Sequence, residues 1–114
     1  MPHFEVDCSA NITSTYDEAE IVQQVHNAAN ASGLFGEKNI QVRLKLVKHY
    51  SVGNEQVDFI TIFANILEGR TVEQKADLSK TVVKHLSEQF PDVANIAINI
   101  RDIQKGTGFN NTNL

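Results

Sequence analysis

Met1-Pro2-His3-Phe4-Glu5-Val6-Asp7-Cys8 opens the chain on a strict alternation. Phe4, Val6 and Cys8 fall on one side and His3, Glu5 and Asp7 on the other, which is the period of a half-buried strand. A small residue after the initiator normally lets the aminopeptidase remove Met1, leaving Pro2 as the amino terminus at the head of that strand. A terminal amine titrates near neutrality. Burial and nearby cations both disfavour its charged form, and an amine tuned close to ambient pH suits a general base. If Met1 stays, the proline nitrogen is an amide and has no basic lone pair. Met-Pro alone supports the plainer role better: Pro2 opens a strand, where its missing N–H costs little.

Outward from this strand, Ser9 to Thr15 reads as a polar connection. Thr15-Tyr16-Asp17-Glu18 has the form of a capping box, and the helix after it sets Ile21, Val22, Val25, Ala28 and Ala29 on one stripe. Gly33 is its expected stop. A second strand is predicted over 39–48, with Ile40, Val42, Leu44 and Leu46 opposite Gln41, Arg43 and Lys45. Gly53-Asn54 marks a turn. A third strand, over 57–67, is apolar on both faces, as in a strand covered on both sides. Thr71-Val72-Glu73-Gln74 is a second capping-box pattern, and the helix it opens carries Leu78, Val82, Val83, Leu86 and Phe90 on one stripe before Pro91. The fourth strand, 94–101, alternates Ile96, Ile98 and Ile100 with Asn95, Ala97, Asn99 and Arg101.

The order is β-α-β twice, an α/β (α+β) chain with four strands in one sheet and two helices on one face. Two architectures share it: the ferredoxin-like split βαβ, and a pseudo-two-fold pair of intact parallel βαβ units. Phe59, Phe63, Leu67 and Ala97 fall on the face away from the helices. A monomer would leave them in water, so assembly is expected. From Lys105 the tail is rich in Gly, Asn and Thr, with Phe109 its only aromatic group. Left alone such a tail would fray, so 105–114 is expected to pack on a neighbouring subunit.

A length of 114 residues gives one domain, 1–114. The 41% hydrophobic and 21% charged shares are ordinary for a globular protein. Net charge is −4 with scattered Lys and Arg, which argues against a nucleic-acid or anionic-membrane footprint. A single cysteine excludes an internal disulfide and fits a reducing cytoplasm. No stretch is apolar and long enough to span a membrane.

The four histidines, His3, His26, His49 and His85, show no helical metal-site spacing, so solvated or capping roles are expected and no metal. No Gly-rich phosphate loop precedes a helix. Cys8 at an inward strand position is expected to be packed and unreactive. Arginines number three. Arg43 shares the polar face of the second strand with Gln41, and Arg70 sits at the junction into the second helix. Both are places from which side chains reach into clefts. Taken singly, each is better explained by an ion pair.

Met1-Pro2-His3-Phe4 followed by Cys8-Ser9-Ala10-Asn11-Ile12 resembles the start of the 5-carboxymethyl-2-hydroxymuconate isomerases, in the tautomerase superfamily. Asn39-Ile40-Gln41-Val42-Arg43 and Ile66-Leu67-Glu68-Gly69-Arg70-Thr71-Val72-Glu73 extend the resemblance, and it reaches Phe109-Asn110-Asn111. It implies the second architecture, a homotrimer, and catalysis by the processed proline without metal or organic cofactor. On it, Pro2 is the base that moves a proton in an unsaturated 2-hydroxy or 2-keto acid, and Arg70 grips the substrate carboxylate. Gln41, Arg43 and Phe109 would complete the substrate site. One departure stands out. The family carries arginines where this chain has Gln41 and Arg43, so one charge is missing, and a different substrate or reduced activity on the family's own is expected. A phenylpyruvate-type tautomerase and a non-catalytic oligomeric binding protein are the alternatives.

Overall fold

The computed structural model describes residues 2–114; Met1, and with it the expected processing of the initiator, lies outside the described residues. Strand β1 runs over His3–Ser9, β2 over Gln41–Val47, β3 over Phe59–Leu67 and β4 over Asn95–Ile103. Helix α1 spans Glu18–Ala31 and α2 spans Val72–Gln89. The sheet order is β2-β1-β3-β4, with β1 parallel to β2, β1 antiparallel to β3, and β3 parallel to β4. Each strand therefore lies beside the partner its own helix connects it to. In the split arrangement another strand would separate them, so the ferredoxin-like alternative is overturned and the pair of intact units stands.

Alternation decides the layers. Phe4, Val6 and Cys8 of β1 and Ile60, Ile62, Ala64 and Ile66 of β3 are buried beneath the helices. Ile21, Val25, Ala28 and Ala29 of α1 and Leu78, Val82 and Leu86 of α2 meet them, with Phe90 just beyond α2. A fully buried side chain of this size contributes about 1.5–3 kcal/mol, so the two central strands anchor the fold. Val22 and Val83, expected on the same stripes, sit at their margins and are only half-buried. Between the helices, His85 Nε2 meets Gln24 Oε1 at 2.7 Å.

Several expected boundaries move, each for a local reason. The first helix is capped by Asp17, whose carboxylate accepts from the Ala19 N–H at 3.2 Å, and not by Thr15. Thr15 is taken up by the preceding 3-10 turn, Ala10–Ser14, its N–H bonding to the Ile12 carbonyl at 3.1 Å. That turn buries Ile12, so the connection is less polar in effect than its sequence suggests. Strand β2 starts at Gln41 because Glu37–Asn39 forms another 3-10 turn. Strand β3 starts at Phe59. The Phe59 N–H bonds to Ser9 Oγ at 3.1 Å, and that hydroxyl donates to Asp58 Oδ1 at 3.1 Å, a side-chain lock at the strand's head. Strand β4 runs on to Ile103, past the expected 101. Gly53 and Asn54 both hold positive φ, 59° and 67°, and close the tight turn between Val52 and Glu55.

The face of the sheet away from the helices is only partly open. Tyr50 packs edge-on to Phe59 at 5.3 Å, and the Arg101 guanidinium lies 4.0 Å above the Phe63 ring. Leu67 is the expected apolar residue that stays exposed there, at 41%.

Candidate active site

Cross-strand register brings the chemistry together. His3 pairs with Gln41 on one side and with Asn65 on the other, and Asn65 pairs in turn with Arg101. One row along the strands, Glu5 lies between Arg43 and Phe63. Side chains from both rows point away from the helices, because period two sends every second residue to that face.

Pro2 is buried at the head of β1, and its carbonyl accepts the Gln41 N–H at 3.0 Å. A cavity of about 240 Å³ opens at His3, the next residue, and Pro2 itself is not in its lining. Its walls are His3 and Gln41 from the parallel pair, Leu67 and Ile103 from the ends of β3 and β4, and Phe109, Asn110 and Asn113 from the tail. The tail reaches back because its root is fixed: the Lys105 N–H donates to Glu68 Oε2 at 2.8 Å. Phe109 lines the cavity yet stays 75% exposed, so it is a wall with one side in solvent. Among the described residues of this lining there is no lysine or arginine.

The two arginines of the expected site lie elsewhere on the chain. Arg43 lines a separate concavity with Glu5, Lys45, Phe63 and Arg101. There Glu5 sits between Arg43, at 3.9 Å, and Arg101, at 3.7 Å, and its Oε2 accepts from the Asn65 amide at 3.1 Å. These pairs are half-exposed and beyond hydrogen-bond length, so each is worth about 0–1 kcal/mol. Arg70 donates through Nη2 to the Leu34 carbonyl at 3.0 Å and through Nη1 to the Leu67 carbonyl at 3.3 Å. Its guanidinium also lies 5.0 Å over the Phe35 ring. It therefore ties the loop after α1 to the end of β3, one carbonyl away from the cavity wall. The structure thus brings Gln41 and Phe109 together at one cavity, and leaves Pro2, Arg43 and Arg70 out of its lining.

His3 was not among the expected site residues. The signal was present in the alternation, which puts it on the open face directly after Pro2, but histidine in a polar position reads first as solvated. Of the other histidines, His49 is exposed as expected, while His26 pairs with Glu37 at 2.9 Å and His85 is held by Gln24 between the helices. Cys8 is also as expected. Burial, and then the charges of Asp7 and Glu18, push its thiol up to about 12, which removes it as a nucleophile near neutrality. Among the described residues no group of three His, Cys, Asp or Glu is placed to hold a metal ion, and no helix is long and apolar enough to cross a membrane.

Two β-α-β units on one mixed sheet, with both helices on one face and a proline heading the first strand, define a tautomerase-fold protein. The chain belongs to the 5-carboxymethyl-2-hydroxymuconate isomerase family, whose sequence model matches residues 2–114. It is 25% identical over 92 residues to 5-carboxymethyl-2-hydroxymuconate Delta-isomerase of Escherichia coli, covering 79% of this chain and 73% of that protein. Among solved structures it is similar to a 5-carboxymethyl-2-hydroxymuconate isomerase from Deinococcus radiodurans R1, with TM-score 0.77 and 16% identity over 96% of this chain and 87% of the other. It is likewise similar to a symmetric trimer of a fused 4-OT, with TM-score 0.72 and 19% identity over 96% and 92% of the two chains.

Proposed function

We propose that the chain, with Met1 removed, is a cofactor-independent isomerase that shifts a proton and a double bond in an unsaturated 2-hydroxy or 2-keto acid of the 5-carboxymethyl-2-hydroxymuconate kind. The observation that carries this reading is the cavity at the head of β1, lined by Gln41, Phe109 and His3, the residue after Pro2. Family membership gives the reaction class. The freed Pro2 nitrogen takes the substrate's 2-hydroxyl proton, or the proton on the carbon next to the 2-keto group. A dienolate forms, and the proline ammonium returns the proton at another carbon of the conjugated chain. Hydrogen count is unchanged and no electron leaves the system.

Arg70 is the residue we assign to the substrate carboxylate. A guanidinium has five N–H donors, so the two bonds to Leu34 and Leu67 leave others for a bidentate grip. Gln41 supplies a hydrogen bond where the family pattern has a charge, and Arg43 reaches the substrate only by leaving Glu5. Phe109 packs on the conjugated chain. We further propose a homotrimer working in the cytoplasm, in keeping with the trimeric relative and the single cysteine.

The test is a tautomerisation assay with 2-hydroxymuconate, on protein whose intact mass shows Met1 absent. Turnover that vanishes when the amine is alkylated is the expected result; turnover that survives alkylation removes Pro2 as the base. The apolar walls Leu67, Ile103 and Phe109 favour a second reading, a keto–enol tautomerase of the phenylpyruvate type. Phenylenolpyruvate in the same assay separates the two. Inactivity on both substrates in the processed protein would point instead to an oligomeric binding protein that keeps the fold.

A further inference from the structure

His3 carries a feature that the reaction described so far does not use. Its Nδ1 is fully buried and has no hydrogen-bond partner, while the residue itself forms part of the cavity wall. Buried side-chain nitrogens almost always find a partner, and an exception asks for an explanation. Nδ1 has no accessible surface, so the ring nitrogen left for a ligand to reach is Nε2. Asn65, the cross-strand neighbour, does not fill the gap, because its amide donates to the His3 carbonyl at 3.2 Å and to Glu5. One ring nitrogen is thus sealed, and a ligand in the cavity that His3 lines has only the other to meet.

Which nitrogen holds the proton then follows from what enters. An anionic oxygen in the cavity can be met only by a donor, so it draws the proton to Nε2 and leaves Nδ1 bare. No lysine or arginine lines this cavity among the described residues. Charge that develops on an oxygen there is stabilised by fixed N–H groups, which act strongly where water is excluded.

We infer that His3 is the oxyanion donor of the site: its Nε2–H hydrogen-bonds the C2 oxygen of an unsaturated 2-hydroxy acid and holds it as the dienolate forms. This rests on the isomerase reading above. The step breaks no bond on the imidazole. Pro2 takes the proton, the electron pair stays on the C2 oxygen and the conjugated chain, and His3 keeps its own N–H throughout. As the bond strengthens when the oxygen gains charge, its loss falls mainly on kcat and less on KM.

Three variants test it. His3→Gln places an amide N–H near the position of Nε2, His3→Asn places one near Nδ1, and His3→Leu has none. With 2-hydroxymuconate, kcat should fall about 100-fold in the Asn and Leu variants, the loss expected for one oxyanion donor, and only a few-fold in the Gln variant. Equal losses in all three, or none in any, would overturn the assignment. A binding readout keeps it testable if the protein does not turn substrate over. Benzoylformate, a 2-keto acid that keeps the C2 oxygen but has no hydrogen on the neighbouring carbon to shift, is added to protein carrying 15N-histidine. The expected long-range proton–nitrogen spectrum shows Nε2 protonated and Nδ1 bare in the complex, with affinity down about 10-fold in His3→Leu. A proton on Nδ1, unchanged affinity in His3→Leu, or no binding of benzoylformate would sink the inference. Benzoylformate binding through His3 with no turnover of 2-hydroxymuconate would instead count against the isomerase reading alone.

Discussion

Cys8 has no accessible surface, and its thiol is raised from the ordinary 9.0 to about 12, by burial first and then by Asp7 and Glu18. The unfolded chain loses this proton before the folded one does, so the folded state binds more protons in that window. Stability from this source is whole below pH 9 and fades as pH rises toward 12. Native protein at pH 8 should therefore resist alkylation by iodoacetamide, and should react fully once unfolded in urea. Rapid native labelling would show that the thiol is reachable and the packing looser than described. This residue was legible from the sequence because an inward strand position fixes its surroundings. His3 was not, although it lies in the same strand. The role proposed for it depends on a cavity that Ile103 and Phe109 help to wall from the far end of the chain. Arg70 was legible as a junction residue, but not its contacts, since Leu34 and Phe35 approach it across a loop with no periodic signal.

At the scale of elements, the two helix starts make a controlled comparison. Both carry the same type of capping pattern, yet only α2 forms the reciprocal box. There Thr71 Oγ1 accepts from the Gln74 N–H at 3.1 Å, and Gln74 Oε1 accepts from the Thr71 N–H at 2.9 Å. Thr71→Ala should cost about 1 kcal/mol, read from the urea midpoint at constant slope. Thr15→Ala should leave that midpoint unchanged, because Asp17 does the capping of α1. A cost at Thr15 equal to that at Thr71 would contradict the assignment. The difference could not be read from local sequence, since Thr15 is claimed by a turn that exists to bury Ile12. The strands were more readable. Alternation gave their faces correctly, and only their ends moved, where Ser9 and Asp58 or a 3-10 turn took over the backbone.

For the whole molecule, β2 and β4 are the sheet's two edges, and each offers unpaired backbone groups. The open face is less apolar than expected because Arg101 and Tyr50 cover Phe63 and Phe59. Hydrophobic burial on that face is therefore a weaker reason for assembly than the free edges. If edge pairing makes the proposed trimer, sedimentation should give three times the chain mass. Proline placed in β4 at Ile98, whose N–H faces the free edge, should return the protein to monomers, whereas at Asn99, whose N–H faces β3 as that of Asn95 does, it would break the sheet itself. A wild-type chain that sediments as a monomer at micromolar concentration would end the trimer proposal. The order of elements narrowed the fold to two arrangements, and only strand adjacency, a non-local property, chose between them.

The cavity at the head of β1 is bounded by His3 from one end of the described chain and by Asn113 from the other. Anything appended to the chain at either extreme is delivered to the same few ångströms of space. Under the proposed reaction, a purification tag ahead of residue 2 would keep the Pro2 nitrogen an amide, and one after residue 114 would crowd the Phe109 wall. If the proposal holds, preparations that differ only in their tags should differ in turnover, and protein cleaved to begin at Pro2 is the form in which rates can be compared.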